Sequence, residues 1–220
     1  MVERLFAREK PEYDRGVGFF DAIYGFAITL LIANIDLPQA ESWRSMHALL
    51  SDGLADQLLG FVISFIVIAT FWKRNAELLS HFLGLDGALI VANLALVGLI
   101  VFLPFTTQGI SDPKVSDYPL ATVLYALNIA LAILTQLVMW EIARSRGLVV
   151  DDVPGARWAV RIDAAAQAAV FLVSIPVAAA AGPTAGQLTW LLLPIVAIVT
   201  GRWRHRVTQR ALGENPTQVS

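Results

Sequence analysis

The sequence predicts an all-α, six-transmembrane-helix integral membrane protein, and three observations carry that expectation. Of its 220 residues 56% are apolar and only 15% are Asp, Glu, Lys or Arg, whereas a soluble domain carries about 25% charged residues. Long stretches hold no charge at all: Ala22–Ile35, Gln57–Trp72, Gly87–Ser111, Tyr118–Trp140 and Ala164–Gly201. Finally, fourteen of the sixteen basic residues fall on one side of the spans that these stretches define.

The first span is expected over 17–36, reaching back past Asp21 to the glycines at 16 and 18. Its apolar run exceeds the roughly 7–15 residues of a signal-peptide core, and no small-x-small cleavage site follows, so it reads as a retained helix. The second, third and fourth spans are expected over 56–74, 86–108 and 119–140. The last uncharged run has 38 residues. As one helix it would be about 57 Å long, nearly twice the hydrocarbon thickness of about 30 Å. It must fold back, and Gly182-Pro183-Thr184-Ala185-Gly186 is the expected break, giving spans over 162–181 and 187–203. Ser145 to Val160 reads as a polar connection and Glu214 to Ser220 as a disordered tail. Residues 1–220 therefore read as a single transmembrane domain.

With six spans, both termini lie on the same side. Arg4, Arg8, Lys10 and Arg15, then Lys73 and Arg74, then Arg144, Arg146, Arg157 and Arg161, then Arg202, Arg204, Arg206 and Arg210 share that side, against Arg44 and Lys114 on the other. The positive-inside rule makes it the cytoplasm, in a multi-pass cell-membrane protein. Trp72, Trp140, Trp158 and Trp203 fall near span ends, where interfacial tryptophans are common. The absence of Cys and the scatter of His47, His81 and His205 exclude a disulfide framework and argue against a metal cage or cofactor site. No H-E-x-x-H, G-x-S-x-G or paired Asp-rich motif is present, which argues against an enzyme. The net charge of −2 gives no sign of a nucleic-acid partner.

Asp21 stands one turn into the first span, where a carboxylate is costly and must face protein or water. At 100° per residue Gly18, Ala22, Gly25, Thr29, Ala33 and Asp36 share one side of this helix. Such a stripe serves either close helix packing or a narrow conduit lined by copies of the helix. In the conduit, Thr29 offers hydroxyls, Phe26 narrows the path and Asp36 sits at the outer mouth, where Glu41, Asp52 and Asp56 could add to the field.

The run Arg15-Gly-Val-Gly-Phe19-Phe20-Asp21, followed by Ala27-Ile-Thr29-Leu-Leu31, resembles the R-x-x-x-F-S-D and A-I-T-L-L pattern of the transmembrane protein 175 family of potassium channels. Ser64-Phe65 leading to Phe71-Trp72, Asp86 with Asn93, and Pro104-Phe105-Thr106-Thr107 are similar to further features of that family, in order. The resemblance implies a homotetramer in the lipid bilayer, with the first helix of each subunit lining a central pore for monovalent cations, K+ above all. It implies no cofactor and no re-entrant filter, and the chain has no T-V-G-Y-G sequence. It places the pore and its hydrophobic gate at Phe26, Thr29 and Ala33. It gives Arg15, Phe19, Asp21, Trp72, Asn75 and Asn93 to a structural polar network around the first three spans.

Several positions depart from the family pattern. Phe20 replaces the motif serine, and Asn75-Ala76 stands where a histidine pair often follows the F-W feature. Phe26 replaces an isoleucine constriction, and Ala33 shrinks the second apolar position. A different class also fits an intramembrane carboxylate, namely a proton-coupled secondary carrier with Asp21 as the titrating group. Carriers tend to show internal repeats, and none is evident between 17–108 and 119–203. A membrane scaffold without transport is the third possibility.

Overall fold

The computed structural model describes residues 5–150, 153 and 156–213, the side chains of Asp52 and Leu212 apart. Six helices long and apolar enough to cross a membrane are present, Pro11–Ala33, Ala55–Ser80, Gly87–Ser111, Pro119–Ser145, Arg157–Ala181 and Pro183–Ala211, each where the uncharged runs place a span. The expected tail, with Asp151, Asp152 and Pro154 of the fourth connection, lies outside the described residues.

Local signals account for the helix ends. Helix α1 (Pro11–Ala33) begins with a proline in its first turn beside Glu12 and Asp14, where the missing N–H costs nothing and acidic groups meet the positive end of the helix dipole. It starts six residues before the expected edge because polar residues can continue a helix into the interface. After α1 a 3₁₀ turn (Ala40–Arg44), a single turn α2 (Met46–Leu49) and a π turn (Leu50–Leu54) lead into α3 (Ala55–Ser80). The Ser45 side chain caps α2 by accepting from Ala48 N–H at 3.1 Å. Helix α3 runs to Ser80, six residues past the expected edge, so Lys73 and Arg74 lie well inside it. Asp86 caps α4 (Gly87–Ser111): its Oδ1 accepts from Leu89 N–H at 2.9 Å and its Oδ2 receives Arg146 Nη1 at 2.5 Å. Its side chain is buried, so the pairing offsets the cost of taking the charge out of water.

Helix α5 (Pro119–Ser145) is the most buried span, packed on α4 and on α6 (Arg157–Ala181). Helices α1 and α3 pack on α4 and on each other. The sixth span is composite: α7 (Pro183–Leu188), a 3₁₀ turn (Thr189–Leu192) and α8 (Leu193–Gly213), lying on α6 at the periphery. The break before it is shorter than expected. Gly182 alone leaves the helical conformation, with φ at +94°, and Pro183 already starts the next helix; only glycine adopts that φ without strain. Gly186, expected in the break, is helical and presses on α6, where a Cβ would stand 2.6 Å from Ala178 Cβ.

An element not foreseen from the hydrophobic pattern ties together the helix ends rich in basic residues. Strand β1 (Phe6–Ala7) pairs antiparallel with β2 (Gly84–Leu85), and Phe82 bridges to Val149. Backbone bonds from Leu83 to Leu148 and from Val150 to His81 extend the pairing. The segment before the first span and two connections thus form one small β layer, too short for any periodicity to register.

Candidate functional site

Helix α1 has two unlike faces. Tyr13, Phe20, Tyr24, Ala27 and Leu31 point into the bundle and are buried. This is the three- and four-residue spacing of a packed stripe, and it explains why an aromatic replaces the motif serine at 20: the side chain fills core rather than a polar site. On the opposite side Gly18, Ala22, Gly25, Phe26, Thr29, Ala33 and Asp36 are exposed. A Cβ built at Gly18 or Gly25 meets nothing within 4 Å, so among the described residues no helix covers the small-residue stripe there. Close packing within the subunit is therefore not what the stripe serves.

The exposed face carries the expected conduit residues. Phe26 is 68% exposed. Thr29 Oγ1 donates to Phe26 carbonyl oxygen at 2.8 Å, holding the hydroxyl proton on its own helix and leaving oxygen lone pairs free. Ala33 follows one turn on, and Asp36 lies just beyond the helix. Asp36 is less open than expected: Lys114 Nζ stands 4.0 Å from its Oδ2, both side chains well exposed, and its backbone N–H donates to Gln57 Oε1 at 2.8 Å. The lysine offsets part of the negative field at that end.

The expected polar network is only partly brought together within one subunit. Trp72 Nε1 donates to Asp21 Oδ1 at 3.0 Å, joining α1 and α3. Arg15 is exposed and has no side-chain hydrogen bond or ion pair among the described residues, because its position on the α1 wheel turns it away from α3 and α4. Phe19 is also exposed, with its ring edge-on to Phe20 at 5.8 Å. Asn75 and Asn93 are almost fully buried, and their amides find no partner among the described residues, nor does the Tyr24 hydroxyl. Three helices thus present uncompensated polar groups to the interior, where hydrogen bonding is otherwise the rule.

Two polar clusters lie where sequence reasoning did not place them. Thr107 Oγ1 donates to Ser64 Oγ at 2.7 Å, and Ser64 Oγ shares a hydrogen bond with Tyr125 OH at 3.2 Å. This buried triad joins α3, α4 and α5, and gives Ser64 and Thr107 a structural role as a hydroxyl clasp. The second cluster centres on Asp163, which is 5% exposed. Its Oδ1 accepts from Gln167 Nε2 at 2.7 Å and Thr200 Oγ1 at 2.5 Å, and its Oδ2 faces Arg204 Nη1 at 3.1 Å. Arg74 Nη2 donates to Gln167 Oε1 at 2.5 Å, so the chain runs from α3 through α6 to α8. The i,i+4 spacing of Asp163 and Gln167 at the start of an apolar run was the available signal. Among the described residues no group of three or more His, Cys, Asp or Glu could hold a metal ion.

Six apolar helices and buried polar clasps between them define a polytopic integral membrane protein. The model of the endosomal/lysosomal potassium channel TMEM175 family matches residues 15–104, which span α1, α3 and most of α4. Over those residues the chain is similar to the TMEM175 family of potassium channels. A potassium channel of Streptomyces collinus is 29% identical over 156 residues, 66% of this chain and 73% of its own. A potassium channel of Chamaesiphon minutus is 33% identical over 115 residues, 51% of this chain, and one of a Chryseobacterium species is 25% identical over 104 residues. The chain spans about half the length of these last two, 54% and 52%. The crystal structure of a lysosomal potassium-selective channel TMEM175 homologue from Chamaesiphon minutus superposes with a TM-score of 0.66 at 23% identity, covering 89% of this chain and 99% of that one. This last likeness establishes the shared fold.

Proposed function

We propose that the protein is a potassium-permeable cation channel of the cell membrane. It forms a homotetramer in which one transmembrane domain per subunit contributes α1 to a central pore. The observation that carries this reading is the uncovered face of α1. A stripe of Gly18, Ala22, Gly25, Thr29 and Ala33, with Phe26 at 68% exposure, has no partner in its own subunit, and small residues let copies of a helix approach one another. The relatives named as potassium channels supply the ion.

In this assembly four Phe26 rings form an apolar constriction that resists hydration and closes the path by dewetting. Rotated, the same rings present their faces to a cation. Thr29, one turn outward, offers hydroxyl oxygens in place of lost hydration. The excess of Lys and Arg at the inner ends puts both termini in the cytoplasm, and Asp36, tempered by Lys114, faces the outer mouth. The permeant ion is the only ligand this mechanism requires.

Purified protein reconstituted in planar bilayers is expected to give unitary steps carried by K+ in preference to Na+. Substituting Phe26→Ala is expected to raise basal K+ flux into liposomes. Saturable flux without unitary steps would instead indicate a carrier, and flux unchanged by Phe26→Ala would remove that residue from the gate.

A further inference from the structure

The Asp163 cluster borders an open-sided cavity of about 960 Å³ between α3, α5, α6 and α8 at the end of the bundle that carries the basic residues. Its size lies at the upper end of the range for small-molecule sites, roughly 300–1,000 Å³. One wall is apolar, with Ile133, Leu137, Val149 and Val160; the other is polar, with Arg74, Gln136, Trp140 and Arg204.

The charges on the polar wall do not balance. Asp163 is consumed locally, since Gln167, Thr200 and Arg204 together occupy both of its oxygens. Glu77 pairs with Lys73 at 3.7 Å. Arg74 is left with one hydrogen bond, to the neutral Gln167 amide oxygen, and no carboxylate within ion-pair distance among the described residues. A guanidinium carries five N–H donors in a planar fork, so most of its capacity is unused. A partly desolvated cation beside an open volume calls for an anion with several acceptor oxygens, and a phosphate group supplies them. The facing aliphatic wall calls for an apolar body attached to it. Outside the cavity, Lys73, Arg202, Arg206 and Arg210 are exposed near the same end, where they draw anionic headgroups to the surface.

From this arrangement we infer that the cavity binds an anionic phosphate-bearing amphiphile, with the phosphate at Arg74 and the apolar part along the Leu137 and Val160 wall.

Full-length protein in detergent is titrated with dihexanoyl phosphatidylglycerol, dihexanoyl phosphatidylcholine or inorganic phosphate while thermal unfolding is followed. The phosphatidylglycerol is expected to raise the unfolding temperature with a half-saturating concentration at least tenfold below that of the zwitterionic lipid. Arg74→Gln is expected to weaken the effect at least tenfold, and Ala164→Phe, which puts a ring into the cavity, should weaken it likewise. Inorganic phosphate as effective as the lipid, and equally dependent on Arg74, supports the anion site and identifies a free phosphate as its source. Indistinguishable responses to the two lipids, or a phosphatidylglycerol response surviving both substitutions, would overturn the inference.

Discussion

Adding one methyl group at each of two glycines separates the covered face of the bundle from the uncovered one. A Cβ at Gly60 would lie 2.6 Å from Ser111 Cβ, 3.0 Å from Ser111 Oγ and 3.6 Å from Thr107 Cγ2. The carbon–carbon approach is about 1 Å inside ordinary van der Waals contact. Helices α3 and α4 would have to part by about that amount, which also pulls on the 2.7 Å bond from Thr107 to Ser64 one turn away. Overpacking of this kind costs about 1–3 kcal/mol, and a stretched hydrogen bond about 1 kcal/mol more. The gain in helix propensity from Gly to Ala returns roughly 1 kcal/mol. The net loss expected for Gly60→Ala is about 1–3 kcal/mol, roughly a five- to 150-fold fall in the folded-to-unfolded ratio. Gly25→Ala meets nothing in the subunit, so subunit stability should hold or rise slightly while cation flux falls if the stripe lines or seals a pore. Equilibrium unfolding in mixed micelles, followed by tryptophan fluorescence, reads the first effect; liposome flux reads the second. A Gly60→Ala variant as stable as the parent would refute the close α3–α4 approach. A Gly25→Ala variant that destabilises the isolated subunit would refute the claim that this face is uncovered.

Thr107→Val removes the hydroxyl that donates to Ser64 and should cost about 0.5–1.5 kcal/mol in the same assay, because the Ser64–Tyr125 pair remains to satisfy the others. Asp86→Ala loses both the α4 cap and the Arg146 contact. It is expected to cost about 1–3 kcal/mol, and amide exchange near Leu89 should rise; unchanged protection there would show the cap to be dispensable. Thr29→Val should leave stability unaltered, its hydroxyl bond being confined to its own exposed turn, while changing the K+ to Na+ permeability ratio. An unaltered ratio would remove the hydroxyl from the ion path.

The spans were legible because a membrane helix is specified locally: about twenty residues must be apolar wherever the rest of the chain goes. The α1 stripe was legible for a similar reason, since the helical period alone sorts Gly18, Gly25 and Thr29 onto one side. The pairing of Asp21 with Trp72 followed from the family pattern, and the structure brings those two together. Arg15 and Phe19 share the pattern but turn outward in the single subunit, because their wheel positions differ from those of Tyr13 and Phe20. The second span was expected to end at Lys73 and Arg74, yet α3 continues six residues past them. Arg74 reaches Gln167, and a helix can carry a cation wherever a polar partner or a cavity receives it.

Residue order along the chain alone determined that this protein lives in lipid, that it crosses six times, which end of the bundle collects its basic residues, and which helix bears a continuous small-residue face. The hydrophobic effect and the helical repeat act over short stretches, so these properties can be read without knowing which helices touch. Tertiary structure alone decided which polar groups meet. Ser64 finds Thr107 and Tyr125, and Asp163 gathers Gln167, Thr200, Arg204 and, through Gln167, Arg74. Each cluster depends on the rotation and depth of three helices far apart in sequence, which their separate compositions do not encode. Only that arrangement shows that α1 leaves its small-residue face uncovered while α3, α5, α6 and α8 border an open-sided cavity with an unmatched guanidinium in its wall.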